Sequence, residues 1–227
     1  MFDFLFAQVN IDSGLVLYMP FDGNILDYSG RKNHGFGEGI SYSTGRFGNQ
    51  ASACYISACY RKDNKTIIRI PFSSDFDFSR TKELSAGFWA DTNAIEFSNI
   101  SSLYDCMGCF LFCLGTDETN QNRVWITLRG SHCWLILNSG DKNLQGWHHY
   151  FMTLNNKQIC LYLDGSIIDS LAAYNLRWRL PNINHLEISK TGLCEGSIME
   201  KGSIDSFRLY NRRLSAKEIQ SIYNRRD

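Results

Sequence analysis

Residues able to do chemistry are thinly spread along these 227 residues, and their spacing argues first against catalysis. Hydrolysis of a glycosidic bond with retention needs two carboxylates about 5–5.5 Å apart. A strand supplies such a pair as Glu-x-Asp-x-Glu, because alternate residues share a face. That pattern does not occur, Asp164 precedes Gly165 in a turn signal, and Glu187 stands alone in its predicted strand. Neither a Gly-x-Ser-x-Gly elbow nor a His-Glu-x-x-His helix is present, so no hydrolytic centre of those kinds is expected. His148 and His149 are adjacent; on a strand they point to opposite faces and cannot jointly hold one ion or act as one base.

The eight cysteines, at 54, 59, 106, 109, 113, 133, 160 and 194, include Cys106-Met107-Gly108-Cys109 followed by Cys113. A zinc site ordinarily needs a second such pair or nearby histidines. No second Cys-x-x-Cys exists, and buried thiols or one local disulfide are the expectation. Sugar binding would show as aromatic platforms beside hydrogen-bonding side chains. The candidates are Trp178 between Arg177 and Arg179, Trp125 beside Arg123, Trp134 beside His132, and Tyr60. Trp125 and Trp134 fall in predicted strands, where core packing is a strong alternative explanation for each. Trp178 falls in a predicted loop, where an Arg–Trp stack or a subunit contact competes with a glycan.

The elements that must position these residues are strands. The stretch Trp147–Ser170 carries apolar runs at 150–154, 159–163 and 167–168, separated by Asn155-Asn156-Lys157 and by Asp164-Gly165. Asp-Gly between alternating apolar residues is a strong hairpin signal, since both central residues of a type I′ turn need φ > 0. The spacing predicts a three-strand meander whose middle strand shows Ile159, Leu161 and Leu163 on one face and Cys160, Tyr162 and Asp164 on the other. Further strands are predicted at 14–21, 51–59, 66–70, 84–90, 110–114, 123–128, 134–137, 185–189 and 202–210, and long loops at 91–108 and 172–184. The loop after the first strand is rich in Asp, Asn, Ser and Gly, and 42–49 reads as turns. Helical pattern appears only at the end, where Ser215-x-x-Glu218 is a capping box with Leu214 and Ile219 at the staple positions around it. That predicts a two-turn helix from Ala216 to Tyr223, docked through Ile219, Ile222 and Tyr223.

Composition narrows the partners. With 23 basic and 23 acidic residues and no long run of either sign, the chain carries no nucleic-acid or anionic-membrane footprint. No apolar run approaches the roughly 20 residues of a membrane span. Aromatics at 14% suit strands and binding surfaces. Residues 1–13 form an apolar arm without a basic n-region, so a signal peptide is not expected. A virion or cytoplasmic assembly is then favoured over classical secretion, with the arm contacting a homo-oligomeric neighbour or a larger assembly.

The chain resembles the LamG-like jelly rolls of the concanavalin A-like lectin/glucanase superfamily. The resemblance rests on GLVLYMPFDGNILDYSGRKNHG near the start, TGRFGNQA at 44–51 and LSAGFWA at 84–90, then WHHYFMTL, CLYLDGSII and GSIDSFRLYNRRLSAKEIQSIY, in the family's order. It implies an all-β fold for residues 14–227: a two-sheet antiparallel jelly-roll β-sandwich with a short C-terminal helix and chain ends meeting near the opening strand. It also implies one structural Ca²⁺ between the first loop and the last strand, at Asp22, Asp27, Asn33 and Asp205, while Asx turns explain the loop aspartates without a metal. The segment 53–70 is longer and richer in cysteine than the family pattern, and 91–109 is expanded. The function implied is a non-catalytic recognition or adhesion module for a glycan or glycoprotein surface. A structural virion component is the alternative, and a glycoside hydrolase comes last.

Overall fold

The computed structural model describes residues 10–57, 66–91, 110–116, 122–128, 133–136, 146–172, 185–188 and 201–226. Within them the meander forms as the sequence predicts: β10 (Trp147–Asn155), β11 (Gln158–Leu163) and β12 (Ser166–Ala172) pair antiparallel in succession. Asp164 and Gly165 turn the second hairpin with φ of 50° and 75°, the conformation that Asp-Gly tolerates. Ile159, Leu161 and Leu163 enter the main core, while Cys160 and Tyr162 enter a second cluster on the opposite face.

This meander is one end of an antiparallel sheet ordered β12-β11-β10-β6-β14-β4-β3. The added strands are β3 (Ser41–Ser43), β4 (Ala53–Ser57), β6 (Glu83–Asp91) and β14 (Lys201–Tyr210). The first strand, β1 (Leu15–Met19), pairs with the second half of β14, and β4 pairs with the first half. Between those halves the register of β14 against β6 slips between Asp205 and Arg208, at Ser206, whose φ is 54°. A bulge of this kind adds one residue and resets the alternation of a strand. Ile204, Phe207 and Leu209 therefore face the core, and Asp205, Arg208 and Tyr210 face outward.

The second layer is the sheet β13-β5-β2, made of β2 (Phe36–Glu38), β5 (Ile67–Pro71) and β13 (His185–Ile188). Ile68, Ile70, Leu186 and Ile188 pack with Leu17, Met19, Phe88, Tyr150, Met152 and Phe207 of the first sheet. Phe88 stacks on Phe207 with ring centroids 6.3 Å apart. The strands β7 (Phe110–Thr116), β8 (Asn122–Leu128) and β9 (Cys133–Ile136) form a further antiparallel meander. The fold is the expected antiparallel jelly-roll sandwich.

The helix α1 (Ala216–Tyr223) closes the outer face of the first sheet. Its capping box is present: Ser215 Oγ accepts from the Glu218 N–H, and Glu218 Oε2 accepts from the Ser215 N–H at 2.7 Å. Arg212 holds the helix to the start of the chain, donating to Glu218 Oε1 and to the Ser13 carbonyl, both at 2.6 Å. Leu214, Ile219 and Ile222 pack with Leu15, Phe151, Tyr162 and Tyr210.

Two strands were not expected. Residues 36–38 lie in the predicted first loop, and 41–43 run into the predicted turns. Each is three residues long and exposes much of its surface, so neither carries an apolar alternation; main-chain pairing to β5 and β4 makes them strands. A short 3₁₀ turn at Ser74–Phe76, with the Ser73 hydroxyl accepting from the Asp75 N–H, was likewise not anticipated. Of the loops predicted at 91–108 and 172–184, Asp91 and Ala172 end strands β6 and β12; the rest of both loops, and residues 1–9 of the predicted arm 1–13, lie outside the described residues.

Gly87 on β6 faces the Phe151 ring so closely that a Cβ would lie 2.5 Å from Phe151 Cγ. Overpacking of a filled core costs about 1–3 kcal/mol. Gly87→Ala is expected to lower unfolding free energy by about that amount in urea denaturation, with much of it regained in Gly87→Ala/Phe151→Leu. A Gly87→Ala protein as stable as wild type would contradict this packing.

Candidate functional site

The first loop is organised by Asp27. Its Oδ1 accepts the N–H groups of Tyr18 (2.9 Å) and Ser29 (2.8 Å), and its Oδ2 accepts the Ser29 hydroxyl and the Asn33 N–H, both at 2.8 Å. Asn33 in turn donates its side-chain amide to the Val16 carbonyl at 2.8 Å. Asp27 and Asn33 therefore act as a hydrogen-bonded knot that seats the loop on β1. Both Asp27 oxygens already have two donors each, the usual complement of a carboxylate oxygen.

Asp205 is separate from that knot. It lies on the outer face beside the bulge, where Oδ1 accepts the Ser206 hydroxyl at 2.8 Å and Oδ2 stands 3.8 Å from Arg46 Nη1. Both side chains of this ion pair are shielded, 9% and 3% exposed. Burial pushes the Asp205 carboxyl up to about 6, against the pull of Arg46, and the nearby negative charge of Asp22 pushes the same way. The four residues expected at a calcium site thus divide: Asp22 and Asp205 come near each other, whereas Asp27 and Asn33 serve the loop. Among the described residues no three His, Cys, Asp or Glu side chains gather as an ion-binding group.

Arg46 was not singled out in the sequence. It follows Gly45 in the turn closed by the Gly45 N–H on the Asn49 carbonyl at 2.9 Å. Its guanidinium lies over the Phe47 ring at 4.6 Å and the Trp89 ring at 4.7 Å. Trp89 continues the layer: it stacks on Tyr223 of the helix at 5.4 Å, and His149 packs beside it at 5.1 Å. Arg208, also buried, lies over Tyr18 at 3.7 Å. The outer face therefore holds a layer of aromatic rings and cations beneath α1.

The two histidines diverge, as adjacent strand residues must. His149 is 1% exposed within this layer. Burial pushes its imidazole down to about 3, assisted by the charges of Arg208 and Arg46, so it is neutral. His148 is partly exposed and its Nδ1 lies 2.8 Å from Asp164 Oδ2. The other Asp164 oxygen accepts the His149 N–H at 2.9 Å, and the Asp164 N–H returns to the His149 carbonyl at 2.9 Å. Asp164 serves both its turn and the orientation of His148, a link the hairpin signal did not reveal. Burial and the Asp164 charge also raise the Tyr150 phenol well above its usual range, so it stays protonated.

Of the sugar-binding candidates, Tyr60, Arg177, Trp178 and Arg179 lie outside the described residues. Arg123 and Trp125 lie two residues apart on β8, in register with Gly115 and Cys113 of β7, and Trp134 lies on β9 opposite Thr127. Cys54 and Cys160 are buried free thiols; the other six cysteines are not among residues with described side chains.

A family model described as the concanavalin A-like lectin/glucanases superfamily matches residues 63–220. The chain belongs to this superfamily. Solved structures share its fold. The binding domain of Paraclostridial Mosquitocidal Protein 1 has a TM-score of 0.71 at 18% identity, over 94% of this chain and 52% of that one. A botulinum neurotoxin type C structure, described by its dependence on two ganglioside molecules for cell entry, has a TM-score of 0.70 at 15% identity, over 95% and 52%. This chain thus spans about half the length of those toxin domains. Domain 4 of AbnA, a GH43 extracellular arabinanase from Geobacillus stearothermophilus solved with arabinotriose, has a TM-score of 0.67 at 17% identity, over 92% of this chain and 98% of that domain. No curated protein sequence matches the chain.

The buried imidazole yields a pH dependence of stated sign. A histidine whose folded pKa lies below its unfolded value stabilises fully above the unfolded pKa, near 6.5, and loses that contribution as pH falls toward 3. Asp205, raised when folded, works oppositely between about 6 and 3.8. The two are separated by comparing wild type with His149→Phe, because Asp205 is common to both. Between pH 7 and pH 5 wild type is expected to lose roughly 2 kcal/mol relative to His149→Phe. Parallel stability curves in guanidinium titrations at the two pH values would show that His149 is not held neutral.

Proposed function

We propose that this jelly roll is a non-catalytic recognition module whose ligand is a glycan or the glycan of a glycoprotein. One observation carries the reading: 92% of this chain corresponds to 98% of domain 4 of an arabinanase, a domain solved with arabinotriose. The ganglioside-dependent toxin structure supports the same class of ligand on the same fold. The sequence agrees, because it lacks a Glu-x-Asp-x-Glu strand and carries aromatic residues beside arginines.

The reading assigns the binding surface to Arg177, Trp178 and Arg179 of the predicted loop, with Tyr60, Arg123 and Trp125 as further contacts. Trp178 is the anchor. An indole face covers the apolar face of a pyranose or furanose ring, and the flanking guanidiniums donate to its hydroxyls or to an acidic sugar's carboxylate.

Isothermal titration with a panel of arabino-oligosaccharides, β-glucans and sialylated oligosaccharides tests this. At least one is expected to bind at micromolar to millimolar concentration, independently of any turnover. Trp178→Ala is expected to weaken it roughly tenfold or more, the loss typical of a truncated aromatic anchor, with unchanged thermal stability. A panel without any binding, or Trp178→Ala binding as wild type does, would remove the respective half of the proposal.

A further inference from the structure

The calcium ion that the resemblance implies would sit where the first loop meets the last strand, and the chemistry there suits a different cation. A calcium ion requires six to eight oxygen ligands. Asp27 and Asn33 are held in the loop knot. The Arg46 guanidinium beside Asp205 is faced by the Phe47 and Trp89 rings, which offer no oxygen to a metal ion. Ring faces do suit a guanidinium, which is planar, permanently charged and weakly hydrated. The Arg46 guanidinium lies over both rings, at 4.6 and 4.7 Å, and 3.8 Å from Asp205 Oδ2. At 3% exposure its charge is shielded from water, where cation–π contacts are strongest.

We propose that Arg46 is the resident cation of this position: its guanidinium neutralises Asp205 where a divalent ion would otherwise be needed, so the fold requires no calcium. Asp205, the outward neighbour of core-facing Ile204 on β14, supplies the anion, and the Gly45–Asn49 turn supplies the cation. Removing the guanidinium leaves a shielded carboxylate near Asp22 without its counter-charge, which is strongly destabilising. Removing both charges together costs far less, because neither is then stranded.

Thermal unfolding of wild type, Arg46→Met, Asp205→Asn and the double variant, each with EDTA and with millimolar calcium chloride, tests the assignment. Wild type is expected to melt at the same temperature in both buffers. Arg46→Met is expected to melt several degrees lower, and Arg46→Met/Asp205→Asn to recover most of that loss. A wild-type protein stabilised by calcium or destabilised by EDTA would overturn the proposal, as would additive losses in the double variant. If Arg46→Met does not fold, a folded double variant supports the pairing and an unfolded one overturns it. These readouts involve no sugar, so they stand or fall separately from the glycan reading.

Discussion

One irregularity governs both faces of the main sheet, the bulge at Ser206 in β14. With strict alternation, Ile204 inward would place Ser206 and Arg208 in the core and Phe207 outside. The extra residue resets the phase. Phe207 turns in to stack on Phe88, and Arg208 joins Asp205 on the outer face. The bulge also divides the partners of β14, since β4 pairs before it and β1 after it. A left-handed φ of 54° at a serine is a local strain, offset by the phenylalanine that it buries and the charge that it keeps out of the core.

The two faces of this sheet are consequently built on different physics. The inner face meets the second layer through aliphatic and aromatic side chains, and non-directional apolar burial holds it. The outer face carries Arg46, Arg208, His149 and Asp205 among the rings of Tyr18, Trp89, Phe151 and Tyr223. Buried charges seldom add net stability, because their desolvation offsets the attraction. What they impose here is geometry. The helix roof settles where Tyr223 covers Trp89, and Arg212 fixes both the helix start and the opening of the chain.

How much of this could be read in the sequence follows the range of each interaction. The meander and the helix were legible because their determinants are neighbours in the chain: Asp164-Gly165 for the turn, Ser215 and Glu218 for the cap. The divergence of His148 and His149 follows from strand geometry alone. The pairing of Arg46 with Asp205 spans most of the chain, and no local pattern announces it. The bulge left a trace that alternation could have caught, since Ile204, Phe207 and Leu209 are spaced three and then two. Strands 36–38 and 41–43 left none, for they are defined by the main chain they pair with.

The same layer bears on recognition. Arg46 belongs to the turn after β3, Trp89 to the end of β6, and Tyr223 to the helix, so one stack joins elements far apart in sequence. Asp27 does the equivalent for the first loop by binding Tyr18, Ser29 and Asn33 at once. Both devices fix the starting points of loops without occupying their tips. Binding residues on loops depend on such rigid supports, because a ligand then pays less of the entropy of ordering them. A sandwich that secures its loop bases by internal hydrogen bonds and a buried guanidinium can vary its loops in length without disturbing the sheet beneath. The scaffold and the specificity of a module of the proposed kind are thereby separable, with the bulge and its ion pair on the side of the scaffold.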